Sequence, residues 1–494
     1  MHDERSSELN LTGWWLAFGA FIALAMVAAA RIKGGYIDEY YTFSFADSTV
    51  PLRHAFDAWT MDRGHPVGFY ALSRLGDLVL PADLFVRRLS NLVYLALALI
   101  FAWCSGRSQR PFNVLYLATL AAAPYVIERF AEYRSTFLGL MIVAVLVIRL
   151  RAALDAPQRG SIGLIALLMA ALGLVDYPLA ISGVALCGAW GLLAFRDRNW
   201  KAVRGAAIAI SSCILVIALS LLNEARLHGV PNPFFERFAT LIADLVAVAA
   251  TAVVPCLAML VLAAVQIRRE RVPMRSVAAG SEFTQLLLLS LLFTVIGLVL
   301  VNAVTHAVIR RQMFGIIPLI VAYLTALSLP HLRPGPVTAA LIGANLIGVS
   351  AVSAASLRSK QNFDRYAAEI ARAQRSCASL PVYAVLPQQL ISRGDNRFHM
   401  KDQVAIGLQD VANRDGFGIR LRPPPAEWLD PRCGAILWSE AVWLPAPPTR
   451  QYIASKLQLR IDPRLLQSSK LEWADQESRK QYSLLMRVPP PKPL

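Results

Sequence analysis

Charged residues are scarce in this 494-residue chain: Asp, Glu, Lys and Arg make up only 17% of it. A soluble domain carries about 25% charged residues, so this composition excludes an ordinary soluble protein. Hydrophobic residues reach 56% and the mean hydropathy is +0.48, as is typical of an integral membrane protein. The chain begins with a polar stretch, and no small-residue cleavage site follows the first apolar run, so we expect no cleavable signal peptide.

Cysteine is also scarce, and its spacing argues against a metal or redox site. None of the six cysteines belongs to a C-x-x-C pair. Four lie in apolar runs, where we expect small core residues: Cys104, Cys187, Cys213 and Cys256. Cys377 and Cys433 lie in the polar C-terminal part and can pair if that part faces an oxidising compartment.

The formal net charge of +16 does not indicate nucleic-acid binding, because the basic residues form short clusters between apolar runs. Such clusters are topology signals of membrane proteins. With about 20 apolar residues required per span, we predict about eleven transmembrane helices, near 14–31, 84–104, 112–129, 135–150, 161–176, 178–195, 203–222, 240–267, 284–302, 306–329 and 337–356.

The basic clusters fall on alternate connections, so all of them lie on one side if the amino terminus is cytoplasmic: 107–110, 149–159, 196–201, 268–275 and 331–333. This topology predicts that the remaining connections are extracytoplasmic. They are 32–83, 128–134, 176–178, 223–237 and everything after residue 360.

The chain divides into two predicted domains. Residues 1–356 form the transmembrane domain, which includes the long first extracytoplasmic loop, 32–83. Residues 357–494 contain no long apolar run and read as a soluble α/β domain of sufficient size for a small core. In it we predict an amphipathic helix and three strands, at 364–378, 381–386, 435–438 and 482–488.

The first extracytoplasmic loop holds a pair of acids and two predicted helices. Apolar residues at helical spacing after position 52 predict a helix in the membrane interface, and Pro66 begins a second one over 67–75. Asp38 and Glu39 follow the first span directly. Acids at a membrane face suggest a functional site, in which Asp38 deprotonates or orients an acceptor and Glu39 fixes the loop. The alternative is an ordinary helix end whose acids face water.

Two further charged turns lie on the same predicted side. Glu132 and Arg134, beside Glu128 and Arg129, suit a polar site that holds a lipid phosphate. Side chains that only anchor helix ends at the interface are the alternative.

Arg310 and Arg311 open a late span where the positive-inside rule disfavours them, and a lipid phosphate or snorkelling would explain them. His65 either binds phosphate or is a turn residue before Pro66.

These motifs resemble the GT-C superfamily of membrane glycosyltransferases that use lipid-linked sugars. The likeness is to the branch of protein O-mannosyltransferases and the bacterial lipid A aminoarabinose transferase. That family follows its first span with an Asp-Glu motif, as at 38–42 here. A His-Pro-Pro-like stretch comes next, and 65–72 matches it except that Val67 replaces the second proline.

Two later motifs extend the resemblance over residues 14–356. The family reads Glu-x-Arg-x-Tyr before its fourth span, and 132–136 fits except that Thr136 replaces the tyrosine. A late span opens with Arg-Tyr and then Leu-Pro, which 311–318 follows loosely.

The resemblance implies an inverting, polyprenyl-phosphate-sugar-dependent glycosyltransferase that acts from the extracytoplasmic face. The polar, proline-rich loops and the lack of a eukaryotic retention signal indicate a bacterial inner membrane, and the topology then makes the C-terminal domain periplasmic. It implies that Asp38, with Glu39, is catalytic. Contacts to donor phosphate or sugar would come from His65, Glu132, Arg134, Arg310 and Arg311. The acceptor would be a glycan of the cell envelope such as lipopolysaccharide, another lipid, or a protein. Some members need a divalent cation, and Asp38, Glu39 and Asp176 are compatible with Mg²⁺ or Mn²⁺ if they converge.

Two other functions remain open from the sequence. A transporter or flippase of lipid-linked sugars would also need many spans, but the spans carry few mid-membrane charges or Pro/Gly breaks. A non-catalytic assembly protein would use its spans as an anchor and its C-terminal domain to bind partners.

Overall fold

The computed structural model describes residues 2–61, 66–155, 161–224, 238–271, 281–305, 310–333, 335–357, 363, 365–390, 400–421, 428–444, 446–475 and 481–491. Within these ranges the chain is mostly helical and contains a four-stranded sheet.

The helices of the first 356 residues are α1 (His2–Ile32), α2 (Ile37–Ala46), α3 (Leu52–Met61), α4 (Val67–Asp77), α5 (Leu84–Leu89), α6 (Asn91–Cys104), α7 (Arg110–Ala121), α8 (Pro124–Phe130), α9 (Ser135–Asp155), α10 (Ile162–Val175), α11 (Tyr177–Arg196), α12 (Trp200–Glu224), α13 (Phe238–Val253), α14 (Leu257–Arg269), α15 (Glu282–Thr305), α16 (Ile316–Ser328) and α17 (Pro336–Ser356). Beyond them lie α18 (Ala367–Ser376), β1 (Val382–Ala384), α19 (Pro387–Leu390), α20 (Met400–Asp415), β2 (Ala435–Trp443), α21 (Arg450–Lys456), α22 (Pro463–Ser468), β3 (Lys470–Asp475) and β4 (Gln481–Val488).

The chain is a multi-pass membrane protein, with fewer full-length spans than the sequence predicts. Among the described residues, nine helices are long and apolar enough to cross a membrane, and Ile162–Val175 is a shorter apolar helix. The predicted span 112–129 is divided, because α7 ends at Ala121 and α8 begins afresh at Pro124. Proline has no N–H for the preceding helix, so it starts the next one instead.

One span is broken near its middle. In Leu241–Arg269, a 3₁₀ turn at Val254–Cys256 separates α13 from α14, because Pro255 cannot donate a helical hydrogen bond. The side-chain amide of Asn345 on α17 donates to the carbonyl oxygen of Pro255 at 2.8 Å. A neighbouring helix therefore supplies a hydrogen bond to a backbone carbonyl group that lipid could not supply. The sequence predicted few proline or glycine breaks within the spans, and this break is an exception.

The chain forms two compact units, Met1–Ile32 with Ser48–Leu357, and Lys33–Asp47 with Arg358–Leu494. We call them the membrane unit and the C-terminal unit. The predicted boundary at 356 lies next to the end of the membrane unit. The acid-bearing segment Lys33–Asp47 was predicted to belong to the transmembrane domain, but it groups with the C-terminal unit, since α2 packs on α20.

The membrane unit has a continuous apolar core around α9, the most enclosed of its spans. Both helices predicted in the first loop are present, as α3 and α4. Cys187, Cys213 and Cys256 are buried as expected, whereas Cys104 is exposed at the end of α6, so its expected core position was wrong.

The C-terminal unit contains a sheet of order β1-β2-β4-β3, in which β1 and β2 are parallel and the other pairs antiparallel. The predicted helix at 364–378 appears as α18 and the three predicted strands as β1, β2 and β4, while β3 was not predicted. Side chains such as Tyr383, Leu437 and Met486 form its core. Cys377 and Cys433, with Cα atoms 6.3 Å apart, form a disulfide.

Candidate functional site

Asp38 and Glu39 occupy the first turn of α2. Tyr36 has extended backbone (φ −122°, ψ 147°) and ends the glycine-containing entry to this helix. Carboxylates are favoured at this position because the N-terminal N–H groups of a helix carry partial positive charge. The local sequence therefore places both acids where the helix itself stabilises their charged forms.

The two acids have different surroundings. Glu39 is fully buried; its Oε2 accepts a hydrogen bond from the Tyr36 N–H at 3.1 Å and lies 3.7 Å from Lys33 Nζ. This is the glutamate half of a capping box, which fixes the start of a helix. Asp38 is half-buried. Glu39 is thus used by the fold, and Asp38 is the more accessible acid of the pair.

Asn91 organises the second predicted site, the turn between α8 and α9. Its side-chain amide is buried and donates to the carbonyl oxygens of Phe130 at 2.8 Å and Glu132 at 3.0 Å. The Arg134 N–H also donates to the Glu132 carbonyl oxygen at 3.0 Å. These bonds hold the turn in one shape, with the side chains of Glu132 and Arg134 both buried.

Arg129 concentrates charge in this turn. Its guanidinium lies 2.7 Å from the Glu128 carboxylate and 2.6 Å from that of Glu132. Buried acids and bases of this kind need such pairing to offset desolvation. The Glu132 carboxylate is therefore engaged by Arg129.

Aromatic contacts bring this turn together with the late-span arginines. Phe314 stacks on Tyr125 with ring centroids 4.6 Å apart, and the Arg129 guanidinium lies 5.2 Å from the centroid of Phe314. Phe314 directly follows the 3₁₀ turn Arg310–Met313. In the membrane unit, two turns far apart in sequence thus form one charged and aromatic surface.

Arg310 and Arg311, which precede Phe314, have different environments. Arg310 Nε donates to Asp244 Oδ1 at 2.5 Å, and the Asp244 side chain is nearly buried. Arg311 is half-buried. A lipid phosphate would have to compete with Asp244 for Arg310. Sequence reasoning missed Asp244, although an acid inside an apolar run was the available signal.

The loop helix α4 is also tied to the 130–134 turn. The Tyr133 hydroxyl donates to the Ser73 carbonyl oxygen at 3.4 Å, and the rings of Tyr133 and Phe69 lie 6.0 Å apart. Burial raises the pKa of Tyr133, so this phenol stays neutral near pH 7. The turn and the loop helix thus support each other.

Asp77 fixes the end of α4. Its carboxylate lies 2.5 Å from Arg87 and accepts a hydrogen bond from the Ser48 N–H at 2.8 Å. Burial pushes the pKa of Asp77 upward, but the hydrogen bonds from Ser48 and the charge of Arg87 outweigh it, so the pKa lies below its ordinary value. The sequence alone indicated no role for Asp77.

The remaining candidates from the sequence are His65, the loop 223–237, Asp176 and a divalent-cation site. His65 and most of the predicted loop 223–237 lie outside the described residues. Asp176 caps α11 by accepting a hydrogen bond from the Leu179 N–H at 3.1 Å, so its carboxylate has a structural task in the turn before that helix. Within the described ranges, no group of three or more His, Cys, Asp or Glu residues is placed to hold a metal ion.

The predicted site residues are shared between the two units. Asp38 and Glu39 belong to the C-terminal unit, and Glu132, Arg134, Arg310 and Arg311 to the membrane unit.

Comparisons with known proteins find the fold but no close relative. No family model matches the sequence, and no curated protein matches it. Among solved structures, ArnT from Cupriavidus metallidurans bound to undecaprenyl phosphate is similar, with a TM-score of 0.53 and 13% identity over 97% of this chain and 98% of that chain. The apo form of the same protein matches with a TM-score of 0.51, 14% identity and the same coverage. This chain therefore has the same fold as those two ArnT structures.

Proposed function

We propose that this protein is an integral membrane glycosyltransferase that moves a sugar from a polyprenyl-phosphate donor to an acceptor at the extracytoplasmic face. The observation that carries the proposal is the fold likeness to ArnT, which extends over 97% of this chain and includes the C-terminal unit. The Asp-Glu motif on α2 and the charged turns of the membrane unit support it independently.

The proposed donor is a sugar on undecaprenyl phosphate or a similar polyprenyl phosphate. The related structure is bound to undecaprenyl phosphate. This chain offers two buried arginines in the turn between α8 and α9, Arg129 and Arg134, and Arg129 lies beside the ring of Phe314. Guanidinium groups suit phosphate because they donate two hydrogen bonds at once. The candidates for the phosphate contacts are Arg134, Arg310 and Arg311, of which Arg310 would have to exchange its partner Asp244 for the phosphate. Glu132 and His65 are candidates for contacts to the sugar.

Asp38 is the proposed catalytic carboxylate. An acceptor hydroxyl oxygen attacks the anomeric carbon while the bond from that carbon to the phosphate oxygen breaks, and the configuration inverts. The hydroxyl proton passes to Asp38, and the bonding electrons leave with the polyprenyl phosphate. A carboxylate also stabilises the positive charge that develops on the sugar ring. If the acceptor is a phosphate group, Asp38 orients it and takes no proton.

The disulfide between Cys377 and Cys433 supports the proposed orientation. Disulfides persist in oxidising compartments such as the periplasm and are rare in the cytosol. Their placement in the C-terminal unit fits a periplasmic domain on a bacterial inner membrane. The basic clusters on alternate connections support the same topology.

Reconstituted protein tests the proposal. Proteoliposomes would be incubated with a panel of undecaprenyl-phosphate sugars and a bacterial envelope extract as the source of acceptors, and free undecaprenyl phosphate and labelled product would be measured. We expect one donor to release undecaprenyl phosphate in step with sugar incorporation. Fractionation of the product into lipid, polysaccharide and protein identifies the acceptor class.

The Asp38→Asn variant separates the proposal from its rivals. A glycosyltransferase loses product formation with this change, at unchanged protein level. A flippase would be favoured if wild type forms no product and the Asp38→Asn variant still moves the lipid-linked sugar across the vesicle membrane. Neither transfer nor movement by wild type with any donor would favour an assembly protein.

A further inference from the structure

The helix that carries Asp38 is held by a helix from the far end of the chain. Tyr40 on α2 is 2% exposed, and its hydroxyl donates to Asp410 Oδ2 on α20 at 2.5 Å, across 370 residues of sequence. Hydrogen bonds to an ionised acceptor are about twice as strong as neutral ones. Both residues belong to the C-terminal unit.

The packing around the Tyr40 ring is specific to its position. Phe363 meets the ring edge-on, with centroids 5.6 Å apart at 71°. A Cβ on Gly407 would lie 3.0 Å from Tyr40 Cε2 and 2.7 Å from Phe363 Cε1, so α20 approaches these rings closely only because this residue is glycine. A Cβ on Gly35 would overlap the Tyr40 hydroxyl. Two glycines therefore make room for one tyrosine.

Tyr40 and Asp38 lie in the first turn of the same helix, so a contact that fixes Tyr40 also fixes the backbone of Asp38. Thr42 Oγ1 donates to the Asp38 carbonyl oxygen at 3.1 Å. With 10 residues, α2 is too short to be stable in isolation, because helices below about 12–15 residues are marginal in water. Its orientation, and with it that of the Asp38 carboxylate, depends on tertiary contacts.

We propose that Asp410 is a positioning residue for sugar transfer, which acts through the Tyr40 hydroxyl to hold α2 and its Asp38 carboxylate in the reactive orientation. This rests on the proposed function of Asp38. It makes the C-terminal unit part of the catalytic apparatus, not a separate partner-binding module, since the unit supplies the surface on which the acid-bearing helix is built.

Kinetics of the full-length protein in proteoliposomes test the role in turnover. The variants are Tyr40→Phe, Asp410→Asn and the double variant, assayed with the undecaprenyl-phosphate sugar that wild type turns over. We expect each to lower kcat about 10- to 100-fold, with KM for the donor changed less than about threefold, because misplacement of a catalytic group affects the chemical step. The double variant should be no slower than the slower single variant.

Two control variants match the chemistry of these changes. Tyr452→Phe removes a tyrosine hydroxyl that donates to the Leu390 carbonyl oxygen in the same unit. Asp415→Asn changes another acid of α20, one that pairs with Arg414. Both should keep kcat within about twofold of wild type. An unchanged kcat in Tyr40→Phe and Asp410→Asn would overturn the proposal, as would independent, multiplicative losses in the double variant.

Hydrogen exchange of full-length protein in nanodiscs tests the Tyr40–Asp410 contact without any substrate. We expect amides of α2 to exchange about 10- to 100-fold faster in Tyr40→Phe and Asp410→Asn, with β2 unchanged as a check on folding. Unchanged exchange in α2 would overturn the proposal. If no donor is turned over but α2 exchanges faster in the variants, the glycosyltransferase assignment fails, whereas the conclusion that the Tyr40–Asp410 contact holds α2 is supported. Faster exchange of α2 with unchanged kcat would show that the Tyr40–Asp410 contact holds the helix but does not contribute to sugar transfer.

Discussion

Glu39 accepts a hydrogen bond from the backbone N–H of Tyr36, three residues before it, at 3.1 Å. This bond and the nearby Lys33 ammonium give one acid of the Asp-Glu pair a structural task at the start of α2. Its neighbour Asp38 is on the same turn and is only half-buried. Two adjacent carboxylates thus have different surroundings, and we expect different roles for them for that reason.

Asp38→Asn should reduce sugar transfer about 10²- to 10⁴-fold, because an amide cannot accept the acceptor proton. The melting temperature in detergent should stay close to that of wild type, since the amide is nearly isosteric. Asp47→Asn, at the C-terminal end of the same helix, is the matched control and should remain active. Full activity of Asp38→Asn in proteoliposomes would rule out its proposed role.

Glu39 should behave as a capping residue. Glu39→Gln keeps an acceptor for the Tyr36 N–H, so we expect most transfer activity to remain. Glu39→Ala removes the acceptor and the ion pair with Lys33, and should lower the free energy of unfolding by about 1–3 kcal/mol. Thermal melts and transfer assays of both variants distinguish the roles. If the well-folded Gln variant were as inactive as Asp38→Asn, Glu39 would be catalytic as well.

Arg311→Gln should weaken binding of undecaprenyl phosphate about 10- to 100-fold, because a charge-assisted hydrogen bond is lost. Binding is measured by titration of the purified protein with undecaprenyl phosphate in detergent. Arg333→Gln is the control, since this arginine is mostly exposed and pairs with Glu270. Equal affinities of both variants and wild type would remove Arg311 from the proposed phosphate site.

Asp244→Asn should act on stability, because the change removes the buried negative charge that pairs with Arg310. We expect the free energy of unfolding to fall by about 1–3 kcal/mol, a range kept small because half of the Arg310 side chain is exposed to solvent. Thermal unfolding in detergent measures it, and Arg310→Gln combined with Asp244→Asn should cost less than the sum of the two. Additive losses would show that the pair does not contribute as a unit.

Cys377 and Cys433 should resist alkylation in intact cells until a reductant is added. Loss of the disulfide, which closes a loop of 56 residues in sequence separation, should destabilise the C-terminal unit by about 2–4 kcal/mol. Alkylation with a maleimide-polyethylene glycol and gel mobility report the pairing, and the Cys377→Ser, Cys433→Ser variant reports the stability. Free thiols without reductant would argue against a periplasmic C-terminal unit.

Asp77 should confer a pH-dependent part of the stability. Its folded-state pKa lies below the ordinary value of 3.8, so its contribution is complete well above pH 3.8 and is lost as the pH falls through the lower folded-state value. The stability difference between wild type and Asp77→Asn should therefore be about 1–3 kcal/mol at pH 7 and should shrink toward pH 3. Thermal melts across this range measure it, and a constant difference would contradict the ion-pair explanation.

The local elements of the first loop were predictable because their signals are local. Helical spacing of apolar residues predicts α3, and Pro66 marks the start of α4. The division of the predicted span 112–129 was also predictable, because Pro124 lies within it. It was missed because a count of apolar residues does not register a single helix-breaking residue. The strand β3 was missed, since its residues Lys470–Asp475 include no β-branched residue and are a strand because they pair with β4.

By itself, the sequence determined that the chain crosses the membrane many times, where most helices begin and end, and that acids and bases collect at the ends of spans. These follow from hydropathy, helix periodicity and charge placement, which act over a few turns of chain. Only the tertiary structure decided which charges pair and to which unit the acids belong. The pairing of Arg310 with Asp244 and of Tyr40 with Asp410 joins distant segments, and such contacts depend on how helices pack and not on the sequence around either residue.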